Sequence, residues 1–240
     1  MQHGIDAARA GAAALHIHAR TRDGEVTQDA GTYGEIRDAI RAEAPDVILN
    51  FTTGGSVGMS DDERLGSLPA QPELASLDCG TMNFGDAVFQ NTPQFIDRMA
   101  REMLERGVKP EIECFDVGMV AAGARLVHDE LVAEPPLFQL VLGVRGGAPA
   151  RVDTLVHLVS LLPPGSVWAA AAIGPPHFPL MAAALAMGGH IRSGMEDVAY
   201  VARGEFATSN AQLVTRAVAL CEAIGRPVAT PAQARELLGI

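Results

Sequence analysis

Cysteine is scarce in this chain. Cys79, Cys114 and Cys221 are its three thiols in 240 residues, and no two stand in CxxC spacing. So small and odd a set excludes a disulfide framework and fits core thiols in a reducing cytoplasm. Basic residues are also few: 18 Lys and Arg against 29 Asp and Glu give a net charge of −11. No Lys/Arg stripe is present, which excludes a nucleic-acid footprint, while the acidity favours solubility without identifying a ligand. The opening MQHGIDAARAG lacks the basic and apolar regions of a secretory signal. One long uncharged run, Ser166–Met187, is broken at Gly174-Pro175-Pro176-His177. It therefore reads as a strand and a helix, not a membrane span. No linker or low-complexity tract divides the chain.

What is abundant is apolar surface. Hydrophobic residues make up 48% of the chain and mean hydropathy is +0.15, so a large core is expected. Strand-like runs stand at Ala14–His18, Val47–Phe51, Leu74–Cys79, Glu111–Phe115, Phe138–Gly143, Val167–Ala172 and Gly189–Arg192. They recur every ~25–35 residues and are largely apolar on both faces, as parallel strands covered by helices should be. The segments between them read as helices. Thr92-Pro93 opens one, Phe95, Ile96, Met99, Ala100, Met103 and Leu104 form its face, and Gly107 closes it. Weaker helices are read at Ala150–Leu162 and Leu180–Met187, with others at about Ser209–Ile224 and after Thr230-Pro231. The expectation is one α/β domain over residues 1–240, a TIM-type (β/α)8 barrel. Seven strands are visible where a closed barrel has eight, and Gly4–Gly11 reads as a helix with no strand ahead of it. A barrel lacking its first strand and a doubly wound open sheet both fit that count; the regular spacing favours the barrel.

His16 and His18 lie in AALHIHAR, two apart at a strand end, so both imidazoles point to one side. Strand ends are where a barrel keeps its catalytic groups, and a metal, zinc or another divalent ion, would satisfy two adjacent imidazoles. Backbone or water partners would satisfy them too. Glu196 and Asp197 follow the last strand in GGHIRSGMED. One can complete a His/His/carboxylate set and the other act as general base; a solvated pair capping a helix is the plainer alternative. Arg192 offers a fork for a substrate carboxylate. Thr52-Thr53-Gly54-Gly55 after the second strand supplies hydroxyls and close backbone approach for a substrate, and Ser76 closes the third strand comparably. Glu113, an acid inside an apolar strand, needs a partner and points to a pocket. The Gly143–Gly147 loop hints weakly at a phosphate, and His177 and His190 read as structural histidines.

The motifs GAAALHIHAR, NFTTGGS, ASLDCGTMNFGD, PEIECFDVG, FQLVLGVRGG, GGHIRSGMED and GRPVATPAQARELLG run in order through the chain. Together they resemble the β-keto acid cleavage enzyme family. The resemblance implies a (β/α)8 barrel, a homotetramer, and zinc held by His16, His18 and Glu196. It implies conversion of a β-keto acid and acetyl-CoA into an acyl-CoA and acetoacetate. Asp197 then matches the base, Arg192 the group holding the substrate carboxylate, and Thr52, Ser76 and Glu113 pocket residues. It also implies a first strand bearing a glutamate, ahead of the first strand-like run here. Ser193 and Val198 depart from the residues usual beside the Glu-Asp pair. Two other readings stand beside it: a zinc hydrolase of the amidohydrolase type, and a metal-binding inactive scaffold.

Overall fold

A computed structural model describes residues 1–240. The chain begins with α1 (Gln2–Arg9), β1 (Ala14–Ile17), α2 (Ala30–Glu43), β2 (Ile48–Phe51), the one-turn α3 (Asp61–Arg64) and β3 (Leu74–Asp78). Next come a hairpin of β4 (Met82–Phe84) and β5 (Ala87–Phe89), α4 (Pro93–Arg106), β6 (Lys109–Cys114), α5 (Val117–His128) and β7 (Leu137–Leu142). The last third holds α6 (Val152–Ser160), β8 (Val167–Ala172), α7 (His177–Ala186) and β9 (His190–Ile191). A second hairpin, β10 (Tyr200–Ala202) and β11 (Glu205–Phe206), precedes α8 (Asn210–Ile224) and α9 (Pro231–Leu238).

All seven expected strands join one parallel sheet in the order β1-β2-β3-β6-β7-β8-β9. The order never reverses, so the doubly wound alternative is excluded. A flat sheet of seven strands would hold its edges roughly 29 Å apart at ~4.8 Å per step. Here His18, just beyond β1, lies 3.3 Å from Glu196, just beyond β9. The sheet is therefore curled into most of a barrel, with β1 and β9 unpaired on their facing edges.

Local chemistry accounts for the element ends. Thr92 accepts the Phe95 N–H at the start of α4, Pro93 occupies its first turn, and Gly107 closes it at φ 67°. Asp116, Ser209 and Thr230 cap α5, α8 and α9 in the same way. Between sheet and helices the core packs Leu77, Ile112 and Phe138 against Met99, Val120 and Leu155. Inside the curl, Ile48, Leu74 and Leu137 form a lower apolar layer that Leu238 of α9 covers.

Three features depart from the sequence expectation. Both hairpins were unforeseen. The last strand is two residues long and not four, and Gly189 ahead of it lies where a Cβ would stand 2.2 Å from the Trp168 ring. The strands are also not apolar on both faces: Asn50, Ser76, Asp78, Glu111, Glu113 and Gln139 are all buried polar residues in them. They occupy alternate positions on the inward face.

Candidate active site

Period-two geometry delivers the two histidines to one place. His16 Nε2 and His18 Nε2 stand 3.1 Å apart, and Glu196 Oε1 is 3.3 Å from His18 Nε2. One donor atom from each of the three lies within 4.8 Å of the others. Two nitrogens held about 2.05 Å from one zinc at the tetrahedral angle stand roughly 3.3 Å apart, so the donor spacing fits that ion. The charge state fits as well. Burial, and then the Arg192 charge, push the His16 imidazole down to about 3, leaving it neutral with a free lone pair. Burial opposes ionisation of Glu196, but the His18 hydrogen bond and the Arg192 charge overcome it and hold its carboxyl far below the usual range.

Arg192 is the hub beside this cluster. It donates from Nη1 to Glu113 at 2.7 Å, from Nη2 to Asp197 at 2.8 Å, and from Nε to Asp197 at 3.3 Å. A longer contact of 3.5 Å reaches Glu196. Burial works against the Arg192 charge, and Asp197, Glu113 and Glu196 outweigh it, so the guanidinium stays charged. The expectation that Arg192 offers a free fork to a substrate carboxylate thus needs correcting: protein carboxylates take all three of its nitrogens. Neighbouring positions put them there, with Asp197 five residues downstream and Glu113 on β6 facing inward.

The second-strand loop divides in two. Thr52 Oγ1 accepts the Gly54 N–H at 3.0 Å and lies on the inward face with Asn50. Thr53 alternates to the other side, where its hydroxyl donates to the Ser76 carbonyl at 2.7 Å and meets Met99 Sδ at 3.0 Å. Its side chain is fully buried under α4, so the expected substrate contact by Thr53 is corrected to a tie between β2 and β3. Ser76 faces inward but is fully buried, and its Oγ accepts the Thr53 N–H at 3.0 Å.

Two inward acids were missed: Glu111 and Asp78. Glu111 accepts from Asn50 Nδ2 at 2.6 Å and lies 3.7 Å from His16 Nδ1, and burial pushes its carboxyl up to about 7. Asp78 pairs with Glu113 in register and with Arg64, which is sandwiched between the Phe89 and Phe95 rings. Burial raises both the Asp78 and the Glu113 carboxyls. The signal for Glu111 was the alternation Glu-Ile-Glu within β6. His177 proves structural, with Nδ1 at 2.7 Å from the Ala172 carbonyl and Nε2 at 2.9 Å from Ser193 Oγ. Glycine in the Gly143–Gly147 loop serves close packing: a Cβ on Gly146 would stand 2.1 Å from the Asn83 carbonyl oxygen.

A cavity of 780 Å³ runs along the seam between β1 and β9. His16, His18, Arg192 and Glu196 line it at the site, with Val214 and Leu238 farther along. That volume is of the size that takes a small ligand. No helix is long and apolar enough to cross a membrane.

Comparison with known proteins follows the same lines. A sequence-family model described as beta-keto acid cleavage enzyme matches residues 1–240. The 3-keto-5-aminohexanoate cleavage enzyme of Fusobacterium nucleatum is 45% identical over 233 residues, which cover 97% of this chain and 85% of that protein. The 3-oxoadipate:acetyl-CoA acetyltransferase of Cupriavidus necator is 37% identical over 234 residues, 96% of this chain and 82% of its own length. Among solved structures, the ternary complex of ObcA with C4-CoA adduct and oxalate aligns with a TM-score of 0.85 at 22% identity. That alignment covers 100% of this chain and 65% of the ObcA chain, so this chain spans under two thirds of that molecule. It establishes a shared fold of the TIM-barrel type.

Proposed function

The chain belongs to the beta-keto acid cleavage enzyme family, and from that premise we propose that it is a zinc-dependent enzyme converting a β-keto acid and acetyl-CoA into an acyl-CoA and acetoacetate. The observation that carries this reading is the convergence of His16, His18 and Glu196 beside an Arg192–Asp197 pair. These three residues would hold the metal. Zinc, when bound there, supplies Lewis-acid polarisation of a keto oxygen and stabilises the negative charge that develops on it.

The protein's own groups supply the rest. Asp197 is the base that takes the proton from the carbon between the two carbonyls, and Arg192 holds that carboxylate in place with two donors. Arg192 also keeps positive charge next to the developing anion, which lowers the cost of forming it. Glu113 anchors the far side of the guanidinium at 2.7 Å and so fixes its plane. Thr52 and the Gly54 backbone are the substrate contacts we assign on the β2 side, and Ser76 with Thr53 keeps that loop in position.

An amidohydrolase-type reading would call for histidines at later strand ends, whereas β6 and β7 end on Cys114 and Leu142. In keeping with the family, we assign a homotetrameric state, which light scattering measures. A cytoplasmic location is supported by three free, buried cysteines.

Two measurements on one preparation test the reading. Metal analysis of the purified protein should return about one zinc per chain, with Glu196→Ala losing it. Full occupancy in that variant would sink the proposed ligand set. Incubation with acetyl-CoA and a panel of β-keto acids should release acetoacetate. Bound zinc with no product from any acid would favour the inactive scaffold.

A further inference from the structure

Two buried polar atoms near the site lack hydrogen-bond partners and face each other: His16 Nδ1 and Glu111 Oε1, 3.7 Å apart. His16 directs its other nitrogen, Nε2, at His18 Nε2, on the opposite side of the ring. The Glu111 side chain is itself held, because Oε2 accepts from Asn50 Nδ2 at 2.6 Å. Asn50 is the in-register neighbour of His16 on β2, and Glu111 is the in-register neighbour of Ser76 on β3. Three inward side chains therefore form a line of contacts across the inside of the curl, Asn50 to Glu111 to His16, that ends at the proposed metal.

An imidazole ligates through one nitrogen only while that nitrogen is unprotonated, and the partner of the other nitrogen decides where the proton sits. We propose that Glu111 is a positioning residue: its carboxylate accepts the His16 Nδ1–H, fixes the proton on that nitrogen and turns the Nε2 lone pair toward the metal. This rests on the ligand set assigned above and adds a residue that the ligand set does not contain. The 3.7 Å gap is long for a hydrogen bond, and such contacts commonly tighten when the site is filled. The same acid could alternatively join Glu113 and His16 Nδ1 around a second ion, since those three also lie within ligating reach of one another. The Asn50 contact favours the positioning role, because one Glu111 oxygen is already engaged by an amide donor.

The test uses zinc and the whole chain. Nitrogen-15 NMR of the histidine rings in the zinc-loaded wild type should show His16 with its proton on Nδ1. A His16 ring bearing its proton on Nε2 would overturn the inference without any variant. Chelator competition should show the zinc dissociation constant rising about 10–100-fold in Glu111→Ala and in the similarly sized Glu111→Met. Glu111→Gln, which keeps an acceptor oxygen, should recover most of that loss. Unchanged zinc affinity in Glu111→Ala or Glu111→Met, alongside strong loss in His16→Ala, overturns the Glu111 role while the ligand set stands. No zinc binding by the wild type overturns both. Two zincs per chain, one of them lost in Glu111→Met, makes Glu111 a ligand and also overturns the positioning role.

Discussion

Arg192 carries the electrostatics of the site, and its surroundings set the cost of removing it. Its side chain is 15% exposed while Asp197 and Glu113 are 2% and 9% exposed, so water cannot replace the guanidinium as their partner. Arg192→Leu should destabilise the protein by about 3–5 kcal/mol at neutral pH, as loss of one member of a buried ion pair does. Urea unfolding measures this, and a cost under about 1 kcal/mol would mean the carboxylates are screened after all. His177 gives a pH effect of defined sign. Burial lowers its pKa below the ordinary 6.5, so the unfolded chain takes up a proton before the folded one does. Its contribution is present above about pH 6.5 and is lost as pH falls through the lowered value. Melting temperature should therefore drop more between about pH 7.5 and 5 in the wild type than in His177→Gln. His16 and His190 shift the same way and remain in both proteins, so the difference isolates His177.

At the scale of elements, strand alternation did most of the placing. The two-residue spacing of His16 and His18 was enough to put both rings on one side, and the same rule sends Thr52 inward and Thr53 outward. Reading Thr52-Thr53-Gly54 as one hydroxyl-bearing loop ignored that alternation, which is why Thr53 had to be reassigned. Glu111 was legible in principle from Glu-Ile-Glu, yet nothing local says that its partners would be Asn50, 61 residues away, and His16. Helix-on-sheet packing brings its own prediction. Gly123 of α5 lies where a Cβ would stand 2.7 Å from Ile112 Cγ2 and 2.8 Å from Phe138 Cε1. Alanine improves helix propensity by up to about 1 kcal/mol, but the clash is with fully buried groups and overpacking costs about 1–3 kcal/mol. Gly123→Ala should therefore lower the urea midpoint; an unchanged or higher one would show that α5 can shift outward freely.

Across the whole molecule, the curl of the sheet makes the site and α9 closes its lower end. Leu238 covers Ile48, Leu74 and Leu137, while Arg235 pairs with Glu73, which also pairs with Arg41. Leu238→Ala should cost about 2–5 kcal/mol by opening a cavity under the lower layer. Thermal melting checks this, and a variant as stable as the wild type would show that α9 only rests on the surface. Apolar runs at even spacing, proline and glycine at helix ends and the His-x-His and Glu-Asp pairs were determined by sequence alone, because each depends on neighbours within a few residues. The seven parallel strands and the pairing of His16 and His18 followed from them, while the choice of Glu196 over Asp197 as the third candidate came from the family resemblance. Sheet curvature, by contrast, is a cumulative property of every strand pairing. It brings the His18 side chain, beyond β1, to 3.3 Å from Glu196, beyond β9, commits Arg192 to Glu113, and faces Glu111 toward His16. Those contacts join residues from 79 to 178 positions apart, and only the closed-up geometry of the folded chain could decide them.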